Sequence, residues 1–255
     1  GRIINTDIFS LKGSNALGTS FLTPFQTSFS NQTNNNLNAW SSFDIVALED
    51  NTTITIIPTQ NTYSHTKNVP FTIVLNKGQT YSVRAAGFNP SDRLAGSSIT
   101  SDKKISVTVK DDSIILPNNG SYDLVGDQLI PIDKTGTEYI VKGGHISVLA
   151  TKNNTSVKFN NNIVVTLDSA ETFDYTTQNN EIIFIETSNS VYVFQVKNFS
   201  GETGGALIPH IQCTGSYDVS YSRATYENFG ITLLVKNGNQ GNFKLDGSNT
   251  LVPAT

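Results

Sequence analysis

The chain contains no methionine, one cysteine (Cys213) and one tryptophan (Trp40) in 255 residues. A single cysteine forms no internal disulfide, so stability must come from buried apolar surface, and the length is ample for that. No apolar run approaches the ~18 residues of a membrane-spanning helix, and no cationic amphipathic stretch suits a lipid surface. Charged side chains make up only 15% of the chain, with a net charge of −4. That weak, slightly acidic field excludes phosphate-neutralising contact with nucleic acid. Catalytic signatures are missing too: there is no HExxH, no G-x-S-x-G, no P-loop and no dinucleotide fingerprint. The chain starts at Gly1 and lacks Met, so it reads as a processed segment, with any signal peptide lying outside it.

Asn, Thr, Ser and Gly are abundant, a composition that disfavours helix and suits strands joined by polar turns. The organising text is Phe43 to Ile57, FDIVALEDNTTITII. Phe43, Ile45 and Ala47 alternate on one strand face, Ile54 and Ile56 on another, with Asp50 and Asn51 at the turn. The same text recurs as ISVLATKNNTSVKF, where Val148, Asn154 and Val157 match Ile45, Asn51 and Ile54 at a constant offset of 103 residues. Leu75 and Tyr81 then match Leu167 and Phe173 at an offset of 92, and Ile99 to Val109 matches Ile185 to Gln195 at an offset of 86. The falling offset means that the second copy has shorter loops.

The chain is therefore expected to be all-β: tandem antiparallel sandwich-like repeats of about six short strands each. A propeller-like arrangement is the alternative. The expected divisions are 1–110 for the first repeat, 111–200 for the second and 201–255 for an incomplete third, with 111–134 read as a linking stretch.

NALGTSFLTPFQ, WSSFDIVALEDNTTITI, LNKGQTYSVRA and LAGSSITSDKKISV, followed by YDLVGDQLIPIDKTGTEYIV and GGALIPHIQCTGS, resemble the N-terminal domain family of the IgG Fc-binding protein. The resemblance spans nearly the whole chain. Bacterial members of surface-adhesive, gliding Bacteroidota look closer than the cysteine-richer animal ones. It implies an extracellular, non-enzymatic adhesion module within a large secreted or cell-surface protein. The implied partners are a protein or glycan ligand and neighbouring domains of the same polypeptide. It assigns no binding residue and does not imply immunoglobulin binding by this chain.

Candidate sites follow from loops. Ser28 to Ala39 and Gln60 to Pro70 are long polar connections, the kind that carry recognition. They place Asn34, Asn35, Asn36, Trp40 and His65 as ligand-binding candidates, although the first reading of Trp40 is an anchor pinning the loop exit. Asp168-Ser169-Ala170 resembles a short O-glycan acceptor, which makes Ser169 a glycosylation candidate. Glu49-Asp50-Asn51 and Asp111-Asp112 could offer oxygens to a structural calcium, but neither has the spacing of a calcium loop, so no cofactor is expected. His145 reads as an edge residue, and His210 with Cys213 as packing rather than a thiolate–imidazole pair. A spacer without a ligand is the alternative function; a glycan-active hydrolase is a distant third.

Overall fold

A computed structural model describes residues 11–33, 38–117, 122–178, 181–199, 201–215, 220, 233–235 and 238–244. Among these there is no α-helix, only strands and short 3-10 turns. The first sheet contains β1 (Gly18–Leu22), β2 (Ser41–Ala47), β3 (Thr52–Ile57), β4 (Phe71–Leu75), β5 (Thr80–Arg84), β6 (Ser98–Ile114) and β7 (Asp123–Gln128). The second contains β8 (Gly136–Lys142), β9 (His145–Ala150), β10 (Thr155–Phe159), β11 (Asn162–Leu167), β12 (Thr172–Thr176), β13 (Ile182–Phe199) and β14 (Glu202–Leu207). Both sheets are antiparallel and share one topology: β4-β3-β6-β2-β5 with β1 and β7 on β6, and β11-β10-β13-β9-β12 with β8 and β14 on β13.

The long strands explain the shape. The first part of β6 pairs with β1 and β3, and its later part with β2 and β7. One strand thus serves two half-sheets, which curl over a common interior. The odd residues Ile99, Ile105, Val107 and Val109 point into it, against Phe43, Ile45, Ile54 and Ile56. In the second repeat Ile185, Val191 and Val193 meet Val148 and Val157 in the same way. The sheets are curled half-barrels, within the sandwich-like class that the alternation predicts.

Both repeats are closed at one corner by interlocked turns. Asn51 and Asn154 have left-handed backbones, with φ of 53° and 55°. The Asn51 N–H donates to Asn76 Oδ1 (3.0 Å), and the Asn154 N–H to Asp168 Oδ1 (3.0 Å). In return the Lys77 N–H donates to Asp50 Oδ1 (3.0 Å), and the Ser169 N–H to Asn153 Oδ1 (2.9 Å). Thr52 and Thr155 tie the same carbonyl of each turn at 2.7 Å. Side-chain oxygens here satisfy backbone donors that no strand can reach, which is why Asx residues recur at these positions.

The stretch read as a linker carries β7, so each repeat has seven strands rather than six. Asp123, Gly126, Asp127 and Gln128 obscure its alternation, since its acids are buried for a reason given below. Strands of the first sheet run on to Gln128, and those of the second from Gly136 to Leu207. Glu202–Leu207, where the sequence reading begins a third copy, is the seventh strand of the second sheet.

The repeats differ in what covers their outer faces. Leu149, Tyr192, Phe194 and Val196 point away from the second repeat's own interior, yet all are buried, in one cluster with Phe25, Leu94 and the first repeat's core. β9 is consequently buried at every residue. At the corresponding first-repeat positions stand Val46, Ser106, Thr108 and Lys110, none of them buried. The Tyr192 hydroxyl donates to the Ile130 carbonyl (2.7 Å), and burial pushes its pKa far up, keeping it protonated. A seam between β7 and β14 completes the junction: the N–H groups of Thr203 and Leu207 donate to Asp123 Oδ2 and Asp127 Oδ2, each at 2.8 Å. Gly205 permits this approach, since a Cβ there would stand 3.0 Å from that of Val125.

The chain divides into two compact units, 1–215 and 216–255. In the smaller one the described residues include a 3-10 turn, Gln240–Asn242. Ile231, Asn237 and Leu245, in the stretch expected to form the incomplete third repeat, lie outside the described residues.

The corner geometry sets a test. Asn154→Val, a β-branched residue at positive φ, should lower unfolding free energy by about 1–2 kcal/mol in urea titration. Asn154→Gly should be nearly neutral, because the side chain of Asn154 is not what holds the corner.

Candidate recognition surface and buried polar clusters

Trp40 immediately precedes β2 and is clamped by Asp112: its N–H donates to Asp112 Oδ2 (3.3 Å), and its carbonyl accepts from the Asp112 N–H (3.0 Å). Arg84 ends β5, where alternation turns Val83 inward and Arg84 outward. Tyr63 comes from the Gln60–Pro70 loop and is 78% exposed. Its N–H donates to the Arg84 carbonyl (3.0 Å), and the neighbouring Thr62 bridges to Ala85. These backbone ties bring the three side chains together. The Arg84 guanidinium lies 4.2 Å from the Trp40 ring centroid and 4.4 Å from that of Tyr63, gripped between two aromatic faces. Phe88 backs the indole at 5.4 Å. Each cation–π contact is worth ~0.5–1 kcal/mol at an exposed site.

His65 is in the same loop but belongs to a different group. Its ring stacks flat on Phe71, centroids 3.5 Å apart, and its Nε2 is 3.2 Å from the Tyr81 hydroxyl. It fills the space between the ends of β4 and β5 and is not brought to Trp40. Asn34, Asn35 and Asn36 lie outside the described residues. Ser169 is exposed at the second corner, where its hydroxyl donates to the Thr151 carbonyl (3.2 Å). Arg84, Tyr63 and Phe88 were missed by sequence reasoning. An isolated tyrosine in the polar run NTYSHT, and an arginine ending the outward face of TYSVR, were the available signals.

The flank of the first long loop is not free for a ligand. Thr27 and Ser28 grip the second repeat: the Thr27 N–H and hydroxyl both donate to Asp174 Oδ2 (2.7 Å each), and the Ser28 hydroxyl to the same oxygen (3.0 Å). Phe29 meets the His145 ring edge-on at 4.7 Å. His145 is therefore a buried junction residue rather than an edge one; its Nδ1 is 2.8 Å from Thr176 Oγ1 and its Nε2 is 3.5 Å from Asp174 Oδ2. Burial alone would raise the Asp174 pKa, but His145 and the Thr27 donors outweigh it and hold the carboxyl below its ordinary value.

Ser147 faces Asp174 across the β9–β12 pair, so a Ser, a His and an Asp share one patch. The patch is packed beneath Thr27 and Phe29. The adjoining cleft of about 440 Å³ is lined by Thr27, Arg93, Ala95, Ala170 and Thr172 among others, and none of His145, Ser147 and Asp174 is on its wall. The arrangement joins the repeats.

A second buried network anchors the loop from within. Arg93 Nη1 is 3.1 Å from Asp111 Oδ1, with both side chains almost fully buried. Gln26 Nε2 donates to Asp111 Oδ2 (3.0 Å), Ser41 donates to Oδ1, and Arg93 Nη2 donates to the Phe29 carbonyl. Burial lowers the Arg93 pKa, while the charges of Asp111 and then Asp92 oppose the shift. The acids once considered for calcium are thus engaged elsewhere, Asp111 with Arg93, Asp112 with Trp40 and Asp50 with Lys77. Among the described residues no group of three or more His, Cys, Asp or Glu side chains is placed to hold a metal. His210 packs against Tyr139, with ring centroids 6.3 Å apart.

Both clusters can be probed by unfolding. Asp111→Ala strands a buried guanidinium and should cost about 3–5 kcal/mol. Asp174→Asn should cost about 1–3 kcal/mol at neutral pH. Because the folded pKa of Asp174 is depressed, its contribution is present above the unfolded value and is lost as pH falls through the folded one. The gap between wild type and Asp174→Asn should therefore narrow below about pH 4; equal gaps at about pH 3 and about pH 7 would rule out the carboxylate's charge as the source.

No curated protein and no solved structure matches the chain. Among the described residues no helix is long and apolar enough to cross a membrane. A family profile described as IgGFc binding protein matches residues 9–255. With that match over nearly its whole length, and with the two half-barrels continuous within it, the chain belongs to the IgGFc binding protein family, a family of binding domains.

Proposed function

We propose that this chain is an adhesion module of a secreted or cell-surface protein, and that it meets its ligand at the surface built by Trp40, Tyr63, Arg84 and Phe88. The observation that carries the reading is the gripped guanidinium of Arg84. Three separate segments converge to hold it, and backbone ties fix two of the three side chains. An exposed aromatic such as Tyr63 contributes nothing to the core, and Trp, Tyr and Arg are the side chains that dominate binding energy where partners meet. Family membership supports a binding role, and the ligand is an extracellular protein or glycan. The half-barrels are the rigid frame, and the seam between them makes the second repeat a support for the first.

A spacer is the competing reading, and retention separates the two. The chain is passed over plates coated with IgG Fc fragment, mucin or fibronectin. Retention on at least one coat is expected, falling about tenfold in Trp40→Ala combined with Tyr63→Ala, with a cooperative unfolding transition still present well above the assay temperature. Retention on none, or retention indifferent to the double variant, would favour the spacer.

A further inference from the structure

The recognition surface has a chemical character of its own. The Arg84 guanidinium carbon lies over both the Trp40 and the Tyr63 ring, contacts that hold the charge without using its N–H donors. Among the described residues that guanidinium has no hydrogen-bond or ion-pair partner. Lys110, on the same outer face, is by contrast engaged with Asp44 and Asp112. The Trp40 indole N–H and the Tyr63 hydroxyl are likewise without partners among the described residues. A guanidinium held over two rings, an indole N–H and a phenol hydroxyl without partners among the described residues, and the exposed side chain of Tyr63 thus meet on one surface.

We infer that Trp40, Tyr63 and Arg84 form a subsite for an anionic sugar, a pyranose carrying a carboxylate or sulfate group; the inference rests on the adhesion reading above. The fork geometry of arginine matches a planar or tetrahedral oxyanion and is pre-organised by its two rings, so little side-chain entropy is lost on binding. The exposed face of Tyr63 accepts the C–H face of a sugar ring, while the indole N–H and the phenol serve its hydroxyls. An acidic peptide fits less well. Asp44 and Asp112 lie on the same part of the surface, both about a third exposed. They would repel a run of carboxylates but accept hydrogen bonds from sugar hydroxyls.

The test titrates the folded chain with sialyllactose, sulfated lactose and unsubstituted lactose, read by saturation-transfer NMR and calorimetry. One or both anionic probes should bind about tenfold more tightly than lactose, and the ratio between them tells carboxylate from sulfate. Arg84→Gln should abolish the preference, and Arg84→Lys, which keeps charge but loses the fork, should recover only part of it. Tyr63→Ala should weaken all three sugars together. Lactose binding as well as the anionic probes, with loss in Trp40→Ala, would overturn the anionic assignment and leave the surface standing. A preference that survives Arg84→Gln and Tyr63→Ala would place the site elsewhere and overturn both. No binding of any probe would overturn the sugar assignment, and the coated-plate assay would then decide the adhesion reading separately.

Discussion

Burial of the outer face of the second sheet governs the whole molecule. Leu149, Tyr192, Phe194 and Val196 would be solvent-facing in an isolated half-barrel, and instead they lie in the first repeat's core. Each large apolar side chain removed from water in this way is worth ~1.5–3 kcal/mol, so the junction is comparable to a small core in its own right. Polar groups around it are then forced to find partners. Asp123 and Asp127 meet the backbone donors of β14, and Asp174 meets Thr27 and Ser28. An unpaired carboxylate at any of these places would oppose the burial that created them.

The same constraint divides the long loop between β1 and β2 into two jobs. Its first part, Thr27 to Phe29, is spent on holding the second repeat, with Arg93 and Asp111 locking it from the inside. Its exit delivers Trp40 to the opposite, outward face beside Arg84. The second repeat lacks this loop: Gly143 and Gly144 turn directly from β8 into β9. The offset of 118 from Gly18 to Gly136 has fallen to 103 from Ile45 to Val148, and that drop is the trace of the loss.

Much of this was legible in the chain. Period-two alternation located the hairpins, and the offset between Asn51 and Asn154 located two corners whose hydrogen bonds match atom for atom. β7 was hidden because its buried residues are aspartates that serve another strand, so polarity there marks a seam instead of solvent. The proposed recognition surface was half legible. Trp40 stood out as a lone tryptophan at a loop exit, but its partner Arg84 lies 44 positions away along the chain, and only the β2–β5 pairing, Ser42 opposite Arg84, brings them together. His65 looked equally eligible, and what separates it from Tyr63 is which ring each one lands against, a matter of a two-residue difference in a loop without periodicity.

The unequal outer faces have a bearing on ancestry. The twin whose exterior carries Ser106, Thr108 and Lys110 can face water by itself; the one carrying Leu149, Tyr192, Phe194 and Val196 cannot. Neither twin is expendable to the other. Clipped apart, the later twin would present oily skin and clump, while the earlier would stand with its interior unroofed. The smallest inheritable piece of this architecture is the couple, and lineages that gain or shed it should do so two at a time.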